Sequence, residues 1–153
     1  MYLCIFILPL IGSVIAGGFG RFLGKRGSAL ITTFCLFFSS LFSFISFFEV
    51  GLSSCPVSVS IFPWICVELL DSFWCVYVDS LTSVMLVVVT CISCFVHIYS
   101  IGYMAEEPYL SRFMSYLSLF TFLILSLVLA DNYLQLFFGW EGVGLASFLL
   151  ISF

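Results

Sequence analysis

Charge is scarce in this chain. Of its 153 residues only 8% are Asp, Glu, Lys or Arg, four of them basic, and there is a single His. That scarcity excludes an ordinary soluble domain, whose surface needs about a quarter charged residues. A net charge of -4 argues against nucleic acid as a partner. No basic region precedes the first apolar segment, so no cleavable address is read there. A Gly-rich nucleotide loop and clustered cysteine ligands are missing too, which leaves no cofactor or metal site legible on the chain. The seven cysteines are scattered, mostly inside apolar runs, and form no disulfide framework. Cys91 and Cys94 match CxxC, but they lie within an apolar run without a second pair and read as structural filler.

What is abundant is apolar. The chain is 63% hydrophobic and 20% aromatic, the composition of a polytopic membrane protein. The pattern predicts an all-α integral membrane protein, a single domain over 1–153 with about five transmembrane helices at 2–20, 28–48, 80–100, 113–130 and 132–153. The stretch 49–78, with Gly51, Pro56 and Pro63 and no Lys or Arg, is predicted as an extramembrane loop. Within it Val57, Val59 and Ile61 alternate and fit a short strand. Ser39, Ser43 and Ser46 make a small polar stripe suited to a helix neighbour. Asp79 is placed to cap the third helix, and Asp131 or Asn132 the fifth. So little chain separates the fourth and fifth helices that they must form a tight antiparallel pair.

The basic residues set a topology. Arg21, Lys25, Arg26 and Arg112 all fall in or beside the first and third connections, whereas the second holds Glu68 and Asp71. The first and third connections are therefore expected on the positive side of the membrane, with the N-terminus opposite and Phe153 on the positive side.

Glu141 is the residue to explain. In a helix over 132–153, which rises about 33 Å, it lies near the middle of the span, among Leu134, Phe137, Phe138, Gly144, Leu145 and Phe148. A central acid costs roughly 2.5–3.5 kcal/mol to insert, so such residues usually face protein or water and often belong to ion pathways. Desolvation favours its neutral form and a nearby cation its charged form, which suits it to carry protons. The bland alternative is a neutral Glu hydrogen-bonded to a neighbouring helix. Gly139, Gly142 and Ala146 make a small-residue strip on an adjacent face that allows close approach of another helix. His97 shares one face with Ser83 and Thr90, and is either a packed histidine or a member of a polar path. Gln135 is expected to make a helix–helix hydrogen bond.

The run Leu127-Val128-Leu129-Ala130-Asp131-Asn132-Tyr133-Leu134, followed by Gly139-Trp140-Glu141-Gly142-Val143-Gly144-Leu145-Ala146-Ser147, resembles the start of subunit 5 of respiratory NADH:ubiquinone oxidoreductase. Asp79-Ser80-Leu81-Thr82, Val96 through Met104 and Arg112-Phe113-Met114 fit the same family in order. The resemblance implies the N-terminal part of an antiporter-like subunit of the membrane arm of complex I. It also implies that Glu141 helps carry protons and pairs with a lysine on a later helix. The only lysine here, Lys25, sits in the first connection, so the expected partner lies outside these residues: either the sequence is a truncated part of a longer chain or, the favoured expectation, a companion chain carries the rest of a split subunit. NAD, FMN, iron–sulfur clusters and ubiquinone are then expected on other subunits. Other membrane-arm subunits and membrane lipids are the expected neighbours. The implied location is the mitochondrial inner membrane, with the N-terminus on the intermembrane-space side and the C-terminus in the matrix. A cation/proton antiporter subunit and a purely structural or assembly subunit are the alternatives.

Overall fold

A computed structural model describes residues 1–153, all of the chain. It is a helical bundle with one β-hairpin at one end. The helices are α1 (Tyr2–Gly18), α2 (Gly20–Ser46, continued by a π-helical turn over Phe47–Gly51), α3 (Ser80–Tyr103), α4 (Leu110–Val128) and α5 (Tyr133–Ile151). α2 to α5 are long and apolar enough to cross a membrane, and α1, at 17 residues, is a shorter apolar helix. Its rise of about 26 Å is at the short end of what a bilayer core accepts. The chain is a multi-pass membrane protein.

α2 begins well before residue 28, because the helix resumes at Gly20 straight after α1 and passes through a break at Gly24 (φ 71°, ψ 177°). Glycine adopts that left-handed backbone without a Cβ penalty, so α1 and α2 turn back on each other through an elbow rather than a loop.

The stretch 49–78 also differs from a plain loop. After the π-helical turn, β1 (Val57–Val67) and β2 (Leu70–Val78) pair antiparallel about a turn at Glu68 and Leu69. The strand runs well past Ile61. Two register irregularities, between Ser60 and Phe62 and between Pro63 and Ile65, absorb the proline, which has no N–H to give to the ladder. They also break the alternation that makes a strand readable in sequence.

α4 is the centre of the bundle, packing against α1, α2, α3 and α5, whereas α5 packs chiefly on α4 alone. Serine hydroxyls join the helices, in one case at a backbone carbonyl that lacks its helical donor. Pro9 cannot donate to the carbonyl four residues earlier, and Ser39 Oγ of α2 takes its place, donating to Ile5 O at 2.8 Å. From α4, Ser118 donates to Pro9 O at 2.6 Å and Ser115 to Ser13 O at 2.8 Å. Ser43 and Thr90 hydrogen-bond at 2.8 Å between α2 and α3. Apolar packing fills the rest of the core around Ile5, Phe6, Leu86, Phe122, Leu125 and Leu129.

Caps fix where α3 and α5 begin. Asp79 Oδ1 accepts from Leu81 N and Thr82 N, and Thr82 Oγ1 accepts from Asp79 N, a reciprocal box that ends β2 and starts α3. Asn132 Oδ1 accepts from Gln135 N at 2.8 Å and starts α5.

Candidate functional site

α5 sets the position of Glu141 by two different faces. Its inner face, Gln135, Gly139 and Ala146, is buried, and the two strip glycines lie directly on α4. A Cβ on Gly139 would sit 2.8 Å from Leu127 Cα, and one on Gly142 would sit 2.5 Å from Leu123 Cδ2. Only residues without side chains permit helices this close. With about 100° per residue, Glu141 points roughly 100–160° away from each member of that strip. The same packing that buries the glycines therefore turns the carboxylate away from the bundle.

Glu141 is the ninth of the nineteen residues of α5, about 12 Å along the helix from Tyr133. It lies on the floor of an open groove of about 750 Å³ lined by Leu134, Phe137, Phe138, Gly142, Gly144, Leu145, Trp64 and Ile65. No cation lines the groove, and the only side-chain hydrogen-bond donor among its lining residues is the indole N–H of Trp64. Around it Phe137, Trp140, Leu145 and Phe148 are between 59% and 69% exposed, so this whole face of α5 is uncovered by residues 1–153.

The hairpin closes one end of the groove, a contribution that the sequence pattern did not reveal. Three hydrogen bonds tie β2 to the α4–α5 turn: Tyr77 N to Leu129 O at 3.1 Å, Asn132 Nδ2 to Phe73 O at 2.7 Å and Cys75 N to Gln135 Oε1 at 3.2 Å. Gln135 thus serves a strand backbone, not a neighbouring helix as its place in an apolar helix suggested. An aromatic cluster stands behind these bonds. Trp74 lies 5.0 Å from Phe138 and 5.1 Å from Trp64 between ring centroids, and Phe62 stacks on Trp74. Phe138 is one turn from Glu141, so the cluster sits above the carboxylate on the hairpin side. The signal for it was the density of aromatics in 62–74, hidden because strand register, not spacing, brings Phe62, Trp64 and Trp74 together.

His97 is not brought to Glu141. It is fully buried on α3, where Nδ1 donates to Ser93 O at 2.8 Å and Nε2 has no partner. It lines a separate groove of about 210 Å³ between α3 and α4 with Thr121 and mostly apolar side chains. All seven cysteines are free, and no group of three or more His, Cys, Asp or Glu side chains is arranged to hold a metal ion.

Five apolar helices, with a lone mid-depth carboxylate on the outer face of the last, define an antiporter-like membrane helix bundle. Residues 64–114 match the family model described as NADH-Ubiquinone oxidoreductase (complex I), chain 5 N-terminus. Over all 153 residues the chain is 60% identical to NADH-ubiquinone oxidoreductase chain 5 of Arabidopsis thaliana, 59% to that of Marchantia polymorpha and 51% to that of Neurospora crassa. It covers 23%, 23% and 21% of those proteins respectively, so it spans less than a quarter of the relatives it matches. Over its whole length the chain is thus similar to the N-terminal part of NADH-ubiquinone oxidoreductase chain 5 in these relatives. A stand-alone cation/proton antiporter is not favoured by these matches.

Proposed function

We propose that the chain is the N-terminal part of the proton-translocating, antiporter-like subunit 5 of mitochondrial NADH:ubiquinone oxidoreductase, and that Glu141 is its proton-handling group. The observation that carries the reading is the setting of Glu141: a carboxylate at mid-depth of α5, on an open apolar groove without a cation. Left to lipid, such a group costs roughly 2.5–3.5 kcal/mol, so it needs a polar or charged neighbour from outside residues 1–153. A lysine on a later helix of the subunit, in the same polypeptide or on a companion chain, is that neighbour. Movement of that ammonium toward and away from the carboxylate is the step that couples a distant event to proton transfer at Glu141.

The oxidation of NADH and reduction of ubiquinone belong to other subunits, which hold the NAD, FMN, iron–sulfur and quinone sites. This chain contributes translocation and carries no redox centre. Its cation-rich end, with Arg21, Lys25, Arg26 and Arg112, faces the matrix of the mitochondrial inner membrane, and the hairpin and N-terminus face the intermembrane space.

Glu141→Gln in the assembled complex tests the proposal. Proton pumping per NADH oxidised, or coupled turnover, is expected to fall while assembly is unchanged. Normal pumping in an assembled variant refutes the role of Glu141 and leaves the structural alternative. Cross-linking followed by mass spectrometry would find the lysine within reach of Glu141, and its absence would refute the pairing.

A further inference from the structure

The four basic residues do more than mark one side of the membrane. Arg21, Lys25 and Arg112 line one cavity of about 580 Å³ between the α1–α2 elbow and the start of α4, and no carboxylate lines it. Three of the four cations in a chain this poor in charge meet in one place, Arg21 and Lys25 from neighbouring positions and Arg112 from far along the sequence. Arg112 Nε donates to Tyr116 Oη at 2.8 Å, which holds the guanidinium at the cavity wall while leaving its other N–H groups free. Glu107 lines a neighbouring cavity that shares Arg112, Tyr109 and Tyr116, but it does not line this one.

One helix N-terminus adds to the same field. α4 begins at Leu110 without a side-chain cap or an acidic residue in its first turn. Its first free N–H groups and positive dipole end favour an anion, and placing Arg112 in that first turn would otherwise be unfavourable. The wall on the elbow side is largely glycine backbone. A Cβ on Gly18 or Gly24 would meet nothing within 4 Å, so the glycines leave room that side chains would fill. On the same elbow Phe22 is 89% exposed, and Phe19 and Leu23 are exposed with it, an apolar rim that lies outside the cavity lining but alternates in sequence with the residues that form it.

We propose that this cavity binds the phosphate headgroup of an anionic membrane phospholipid, with the acyl chains lying along the Phe19, Phe22 and Leu23 rim. Arg21, Lys25 and Arg112 neutralise the phosphate, and the N-terminus of α4 supplies backbone donors. A soluble phosphate satisfies the same donors but has nothing to place on the apolar rim, which favours the lipid. Each cation near the surface contributes about a fivefold gain in affinity for an anionic lipid, so removing all three lowers it by about two orders of magnitude. The site does not involve Glu141, and its failure would leave the proton-handling proposal untouched.

The test uses the assembled complex reconstituted into vesicles of phosphatidylcholine carrying a small fraction of photoactivatable phosphatidylglycerol or, in a parallel sample, photoactivatable phosphatidylcholine. Cross-links are mapped by mass spectrometry. The expected result is labelling of residues 17–25 and 108–116 by the anionic probe, at least tenfold above the zwitterionic one. Arg21→Gln, Lys25→Gln and Arg112→Gln each reduce it about fivefold, and Lys25→Arg retains it. Gly18→Phe leaves every charge in place but fills the hollow, and it too abolishes labelling, which separates occupancy of the cavity from general surface attraction. Equal labelling by the two probes, no labelling of these segments, or labelling unchanged in the Gln variants and Gly18→Phe overturns the proposal. Loss of lipid labelling on adding millimolar inorganic phosphate, at constant ionic strength set with chloride, assigns the site to a free phosphate and overturns the lipid.

Discussion

The orientation of Glu141 rests on the closeness of α4 and α5, and that closeness is testable through three glycines on one helix. A methyl group at Gly139 would lie 2.8 Å from both Cα and Cβ of Leu127 and 2.9 Å from its N. Carbon pairs rest at about 3.5–4.0 Å, so α5 must retreat by roughly 0.7–1 Å, and a gap of that size forfeits about a quarter to a half of each dispersion contact along the seam. Overpacking by one methylene costs about 1–3 kcal/mol, and alanine's better helix propensity returns up to about 1 kcal/mol. Gly139→Ala is therefore expected to lose about 1–2 kcal/mol. At Gly142 the clash is closer, 2.5 Å, but it is with the Cδ2 end of Leu123, which can rotate away. Gly142→Ala should cost less than about 1 kcal/mol. At Gly144 a Cβ meets nothing within 4 Å, so Gly144→Ala is neutral or slightly stabilising by propensity. The assay is SDS-driven unfolding of the full-length protein in bicelles. Tryptophan fluorescence provides the signal, because Trp74 sits against Phe138 and reports whether α5 is docked. If Gly139→Ala is as stable as Gly144→Ala, the backbone contact with Leu127 is not what holds α5, and the inferred outward direction of Glu141 loses its basis.

Two other consequences can be measured separately. Ser39→Ala leaves Ile5 O without the donor that Pro9 cannot provide and should cost about 1–3 kcal/mol in thermal or SDS unfolding. In a Pro9→Ala background, where the helix recovers its own N–H donor, the same change should cost about 1 kcal/mol less, and equal costs in the two backgrounds would refute the substitution of hydroxyl for amide. In the hairpin, burial pushes the Cys75 thiol up from its ordinary range and the Asp131 carboxylate adds to it. Since the thiolate is the reactive form, maleimide labelling of Cys75 near pH 8 should lag behind that of the exposed Cys55 and Cys66 and catch up as pH rises. Faster labelling of Cys75 would show that the hairpin does not shield it.

Membrane residence, the number of helices and the singular position of Glu141 follow from composition and hydropathy alone, because a bilayer imposes one length and one polarity on every span. The caps at Asp79 and Asn132 were legible for a similar reason: a capping side chain bonds to backbone two or three residues away, so the whole interaction lies within one short stretch of sequence. Nothing comparable announces contacts between distant segments. That Ser39 supplies the donor Ile5 O lacks and Ser118 reaches Pro9 O, that Gln135 holds a strand, and that Trp64 and Ile65 wall the groove of Glu141 depend on which helices and strands become neighbours. The basic residues show the division most clearly. Their bias to two connections is legible in sequence alone, since it needs only a count of charges along the chain. Only the tertiary structure decides that Arg112 crosses the fold to meet Arg21 and Lys25, because that meeting depends on the elbow at Gly24 and on the close packing of α1 against α4.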